Sequence, residues 1–248
     1  MNTENPTPHF LGKTIRYAVD DAVFERHPSY RVGVLVARNV RNGESQPPLV
    51  AALQRACADL RESIDITAVA ADHRIHPWRE AFRAFGARPS DFRPSVEALA
   101  RRAIRGSLSS LGRLIDIGTV ISLRHLVPIG GHALDDVDGD IMLRLATGGE
   151  TFSAFGSTSS ERPIAGEVIL AEGNTVLTRR WVWRQSEHTA IKPDSRNLLY
   201  NVDVLPDLPD VDAMAIAVEL AKLVAEYAGG QVAIDLLDAT HRSTTLTF

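Results

Sequence analysis

The 248-residue chain reads as an α+β protein, a mixed sheet with helices. Three observations predict this: helix-spaced patterns crowd the stretch from about residue 47 to 126, strand-like runs follow from residue 140, and the two kinds are segregated rather than alternating. At 44% hydrophobic residues the chain can bury a sizeable core, and it is expected to form one domain over 1–248, with a strand and helix before the main body and a helix after it.

Residues 1–8 are polar and proline-containing and read as a frayed terminus. Residues 30–40 are β-branched and apolar, end at Arg41-Asn42-Gly43, and read as a buried strand. Pro47-Pro48 opens a helix running to about Ser63, since proline suits a first helical turn. Cys57 lies on its apolar side as a packed thiol, with no nucleophile signature around it. Further helices are expected over 77–85, over 95–104 with Ser95 as cap, and over 111–126. Leu111, Leu114, Ile115, Ile117, Val120, Ile121 and Leu123 cover most of the last helix, which should therefore be buried. Its polar exceptions, Asp116 and Thr119, share a face and either satisfy neighbouring backbone or line a cleft. Strands are expected over 140–146, 150–155, 167–171, 175–185 and 197–205, with Gly173-Asn174 as a tight hairpin. Prolines at 206–209 end this part, a helix covers 211–228 and stops at Gly229-Gly230, and 232–237 is a last strand or helical turn.

The richest segment is 178–186, which places two indoles, three arginines and a glutamine in one expected strand. Alternation would put Leu177, Trp181 and Trp183 on one face and Val176, Arg180, Val182 and Arg184 on the other, one greasy and one cationic. The tryptophans are then either core or pocket wall, and the arginines either solvated or ligand-binding.

A net charge of −4 leaves no broad basic surface, so bulk-charge binding to DNA is not expected, while a local basic groove stays open. A single cysteine forms no internal disulfide, the N-terminus is polar, and no apolar run reaches bilayer length, so a cytoplasmic location without membrane insertion is expected. The acidic run 135–140 lacks the spacing of a calcium loop, and His73 and His76 have no second ligand pair, so no metal site is expected. No serine elbow, phosphate loop or dinucleotide fingerprint occurs, and no cofactor is expected. Gly130-Gly131-His132 is a better candidate. Two glycines allow close backbone approach and expose amides to an oxyanion, and imidazole can position or deprotonate water near neutral pH; a plain turn with a surface histidine is the competing reading.

Trp78-Arg79-Glu80-Ala81-Phe82, Phe85-Gly86, Leu114-Ile115-Asp116, Pro128-Ile129-Gly130-Gly131, Gly139-Asp140-Ile141, Pro163-Ile164-Ala165-Gly166-Glu167-Val168 and Trp181-Val182-Trp183-Arg184-Gln185-Ser186 occur in that order. Together they resemble the freestanding B3/B4 domain proteins, which are similar to the editing domain of the phenylalanyl-tRNA synthetase β chain. The resemblance covers about 77–206 and implies an editing-domain fold and hydrolysis of the ester joining a wrong amino acid to the tRNA 3′ end. An activated ester needs little machinery, in keeping with a chain that shows no covalent nucleophile.

The family's V-D-V-T-N motif is similar to Ile115-Asp116-Ile117-Gly118-Thr119, and its Q-P-x-H-A-F-D run to 128–135, so His132 matches the editing histidine. Gly118 and Thr119 depart from the motif and Gly130-Gly131 are extra. The family's Gly-Gly pocket floor falls near 184–186 and its editing glutamate near 201–203.

A trans-acting deacylase built on this pattern would use His132 to orient or deprotonate water and the Gly130 and Gly131 amides to hold the oxyanion. The same reading puts Asp116 or Glu167 on the α-amino group, Trp183 at the side-chain pocket and Thr119 among the substrate-binding residues, with Arg180, Arg184 and Gln185 meeting the terminal adenosine or its phosphates. The expected partner is an aminoacyl-tRNA acceptor end or an amino acid. The alternatives are a non-catalytic module binding either ligand and a hydrolase of small amino-acid esters.

Overall fold

The computed structural model describes residues 12–157, 159–205 and 211–248; the expected frayed terminus at 1–8 and the prolines at 206–209 lie outside them. The chain runs β1 (Thr14–Val19), α1 (Asp21–Arg26), β2 (Arg31–Arg38), α2 (Pro47–Ser63), α3 (His76–Ala84), α4 (Ser95–Ile104), α5 (Arg113–His125), β3 (Ile129–Ala133), β4 (Ile141–Leu145), β5 (Phe152–Ser153), β6 (Ser160–Glu161), β7 (Val168–Glu172), β8 (Thr175–Arg179), β9 (Arg184–Gln185), β10 (Leu198–Val204), α6 (Ala213–Leu223), β11 (Gln231–Leu237) and β12 (Ser243–Thr247). The α+β class is the one expected.

Two main sheets organise these elements. One has the order β12-β1-β4-β7-β8-β9, mixed because β1 and β4 run parallel; the other, β11-β2-β10-β3, is antiparallel throughout. Helices cover the outer face of the four-stranded sheet. Gly33 on β2 lets α6 approach, since a Cβ there would lie 3.0 Å from both the Ala213 carbonyl oxygen and the Ala217 Cβ. Tyr200 on β10 reaches the same side, its hydroxyl donating to the Leu114 carbonyl on α5 at 2.7 Å. The opposite face of this sheet looks at the six-stranded sheet, and the space between them is where polar side chains collect.

Most elements fall where periodicity puts them, and the exceptions are informative. Residues 129–133 form strand β3 rather than a glycine loop: glycine is a poor strand former by itself, but here β10 supplies a ladder partner. Ser95 is the first helical residue, not the cap; Pro94 takes the cap position, and the Ser95 N–H donates to the Val182 carbonyl at 2.8 Å. Strands β1 and β12 pair with each other at the sheet edge and carried no sequence signal strong enough to be expected.

The largest correction is at 175–185, where the expected single strand breaks into β8, a turn and β9, which pair antiparallel. Arg180 and Trp181 both take positive φ, 48° and 62°, a conformation costly for bulky side chains. The turn holds because its side chains are pinned. Trp181 is buried edge-on against Trp78 (5.2 Å between centroids), Tyr30 (4.9 Å) and His27 (4.9 Å). Glu167 accepts the Arg180 backbone N–H at 3.0 Å.

Candidate functional site

A cavity of about 410 Å³ lies between the sheets, within the size range of small-molecule pockets. The four-stranded sheet contributes Gly130, Gly131, His132, Asn201 and Asp203; the six-stranded sheet contributes Tyr17, Leu143, Leu170, Thr178, Arg184 and Gln185. Trp181, Val182 and Trp183 close one wall. Alternation explains the first group: Gly130 pairs with Asn201 and His132 with Leu199, so His132, Asn201 and Asp203 point from adjacent strands to the same face.

His132 is 1% exposed, and both ring nitrogens have partners: Nδ1 meets Thr189 Oγ1 at 2.7 Å and Nε2 meets Thr178 Oγ1 at 3.2 Å. Burial lowers its pKa to about 4, so the imidazole is neutral at pH 7. Gln185 locks the arrangement, its Nε2 donating to the Gly131 carbonyl at 2.5 Å and the Thr189 carbonyl at 2.7 Å. His132 is therefore a positioned neutral group between two threonine hydroxyls rather than an open base.

Asp203 is the titratable group that burial brings into the working range. It is 6% exposed, and desolvation pushes its carboxyl up to about 7 although the hydrogen bond from Tyr30 Oη to Oδ1, 2.6 Å long, pulls the other way. Two strand residues earlier, Asn201 presents an Oδ1 that is buried without a hydrogen-bond donor among the described residues. A cavity with an orphan acceptor and a carboxyl titrating near neutrality is chemically prepared for a polar ligand. The sequence carries a signal for these residues: Asn201 and Asp203 are polar at i and i+2 in an otherwise apolar strand, and the family resemblance implies an editing glutamate near 201–203.

The ladder settles what the two glycine amides can do. Asp203 N–H donates to the Pro128 carbonyl and Leu134 N–H to the Asn197 carbonyl, so even-numbered residues of β3 are the ones bonded to β10. Gly130 N–H is consequently held in the sheet, whereas Gly131 N–H and C=O point outward, toward Gln185. Of the two amides expected to meet an oxyanion, only that of Gly131 is left free of the ladder to β10.

The remaining expected residues divide. Trp183 and Arg184 line the cavity beside Gln185, and Thr119 lines an adjoining hollow of about 200 Å³ that shares Ile115, Gly131 and Gln185 with it. Asp116 does not reach the cavity as an amine acceptor. Its carboxylate is taken by Ser45 Oγ (2.5 Å), Ser110 Oγ and the Leu111 N–H (2.9 Å), which ties the 42–45 and 110–112 loops to α5. Glu167 is not available either. It is buried in a two-bond fork with Arg179, Nε to Oε1 at 2.9 Å and Nη2 to Oε2 at 2.8 Å. Arg180 is 6% exposed and lies over Phe92 at 3.6 Å and Trp183 at 4.3 Å, so it stiffens the wall rather than meeting a nucleotide.

A model of the B3/4 domain matches residues 77–216, more than half of the chain. No curated protein matches it. Among solved structures, the crystal structure of an N-terminal fragment of the phenylalanyl-tRNA synthetase beta-subunit from Pyrococcus horikoshii is similar, with a TM-score of 0.47 and 12% identity over 89% of this chain. The matched part is 51% of that fragment, so the chain spans about half its length.

Proposed function

Because the chain belongs to the B3/4 domain family, we propose that it is a trans-editing hydrolase, cleaving the ester of a mischarged aminoacyl-tRNA by attack of a water held between the two sheets. The observation that carries this reading is the carboxyl of Asp203, pushed up to about 7 by burial within the cavity. A general base works best with a pKa near the operating pH, and Asp203 meets that condition where His132 does not.

In this reading ionised Asp203 takes a proton from water as the water oxygen adds to the ester carbonyl. Gly131 N–H receives the developing oxyanion, and the same proton passes to the departing ribose oxygen, releasing free amino acid and a free tRNA end. Asn201 Oδ1 accepts from the α-ammonium group. His132, neutral and held by Thr178 and Thr189, keeps β3 and β8 at the spacing the ester needs.

The test is a panel of labelled aminoacyl-tRNAs, cognate and mischarged, incubated with substoichiometric protein. Selective loss of one mischarged ester is expected, with the rate rising through about pH 7 and levelling above it because the base must be ionised. Asp203→Asn should lower that rate at least about tenfold and flatten the profile. One observation favours a second reading, a non-catalytic module for an amino acid or an acceptor end: of the two expected oxyanion amides only Gly131 faces outward. Saturable binding of aminoacyl-tRNA without ester loss from any species would establish that module instead.

A further inference from the structure

Phe155 is the largest of the exposed hydrophobic side chains among the described residues, 59% open, and it sits at the mouth of the site rather than on a remote surface. With Ile115, Arg184, Gln185, Ala190 and Ile191 it lines a hollow of about 330 Å³. Ile115, Arg184 and Gln185 also line the inter-sheet cavity, so the two spaces are contiguous. A turn fixes the backbone that carries the ring. The Phe155 N–H donates to the Gln185 carbonyl at 3.3 Å, and the Gly156 N–H donates to Glu187 Oε2 at 3.1 Å. The bridge between Ala154 and Ser186 ties this turn to the β9 segment that carries Arg184 and Gln185.

Arg184 is exposed and makes no ion pair among the described residues; its Nη2 lies 3.5 Å from the Phe155 carbonyl oxygen. Arg102, also exposed, lines the cavity and is likewise without an ion pair among the described residues. An open aromatic face with the unpaired Arg184 guanidinium beside it and the Arg102 guanidinium in the adjoining cavity, in a chain of net charge −4, is matched to a flat base carrying phosphate. An apolar peptide would leave both guanidinium groups without a counter-charge.

We propose that Phe155 is a stacking platform for the terminal base of the RNA 3′ end, with Arg184 on the adjoining phosphate, so that base and ester occupy contiguous spaces. This rests on the editing reading for its choice of nucleic acid. It adds a recognition residue outside the expected set and gives the exposed ring a function.

The test uses a short RNA whose terminal adenine is replaced by 2-aminopurine and which carries a non-hydrolysable 3′-amide-linked amino acid. With the full chain, stacking should quench its fluorescence; Phe155→Ala should remove the quench and weaken binding by about tenfold, and Phe155→Trp should restore both. Against an RNA with an abasic last nucleotide, wild type and Phe155→Ala should bind alike, which isolates the ring-to-base contact. Arg184→Gln should reduce the salt slope of binding by about one. Equal quenching in wild type and Phe155→Ala, or tight binding with no quench, overturns the platform while ester hydrolysis on the tRNA panel leaves the editing reading intact. Absence of both RNA binding and ester loss overturns the two together.

Discussion

Asp203 couples the proposed chemistry to stability, because a carboxyl buried away from water resists ionisation. Its folded pKa of about 7 lies above the ordinary value of 3.8, so the native state binds the proton more tightly and stability falls as pH rises between them. His132 acts in the opposite sense. Its folded value of about 4 lies below 6.5, so stability falls as pH drops through that interval. The two contributions offset each other across most of the acid range. Asp203→Asn removes only the first, and from pH 5 to pH 8 the stability of the variant relative to wild type should rise by about 2–3 kcal/mol in urea titrations. Glu167 makes a contrasting case. Its fork with Arg179 is desolvated on both sides, and Glu167→Gln should cost about 3 kcal/mol by leaving a buried guanidinium half-paired.

At the scale of elements, the strained turn between β8 and β9 and the glycine pair of β3 define the cavity. A strand continuing through 180–183 would have alternated its tryptophans and arginines as the pattern suggested; the turn instead buries Trp181, lays Arg180 on Trp183 and returns Gln185 to His132. The glycines of β3 differ in what surrounds them. A Cβ at Gly131 would lie 3.2 Å from Ile191 Cδ1 and 3.3 Å from Tyr200 Cε1, whereas at Gly130 its nearest neighbour is Asn201 Cβ at 3.6 Å, an ordinary contact. Gly130→Ala should therefore fold with a stability change within about 1 kcal/mol while placing a methyl in the cavity and slowing ester cleavage. Gly131→Ala should lose more stability, measured by the same urea titration, because ring and Ile191 must both give way.

For the whole molecule, one apolar cluster runs from Ile15 on β1 to Leu246 on β12 and includes the helices outside the family match. The family match stops at residue 216, yet β2 pairs with β10 along seven registered positions, so the segment before the match supplies a central neighbour of the site strand. A single cooperative unit is expected. Tryptophan fluorescence from Trp78, Trp181 and Trp183 and far-ultraviolet circular dichroism should trace coincident urea transitions, and an early dichroism change would separate the flanks from the rest.

Periodicity, caps and turn residues in the sequence determined α2, α4, α5, β2, β7, β10 and the α+β class, since each of these elements carries its own burial pattern. Ordered short motifs determined the family. Many of those motif residues proved to be scaffold: Arg79 holds buried Glu97 at 2.6 Å, and Glu167 holds Arg179. Tertiary structure alone decided which polar groups face one another. The stacking of the two sheets brought β10 opposite β8 and buried Asp203 deeply enough to shift its titration, and sheet pairing turned Gly131 outward and Gly130 inward. A pKa and an amide direction depend on what lies across a gap in space, and local sequence carries no record of that distance.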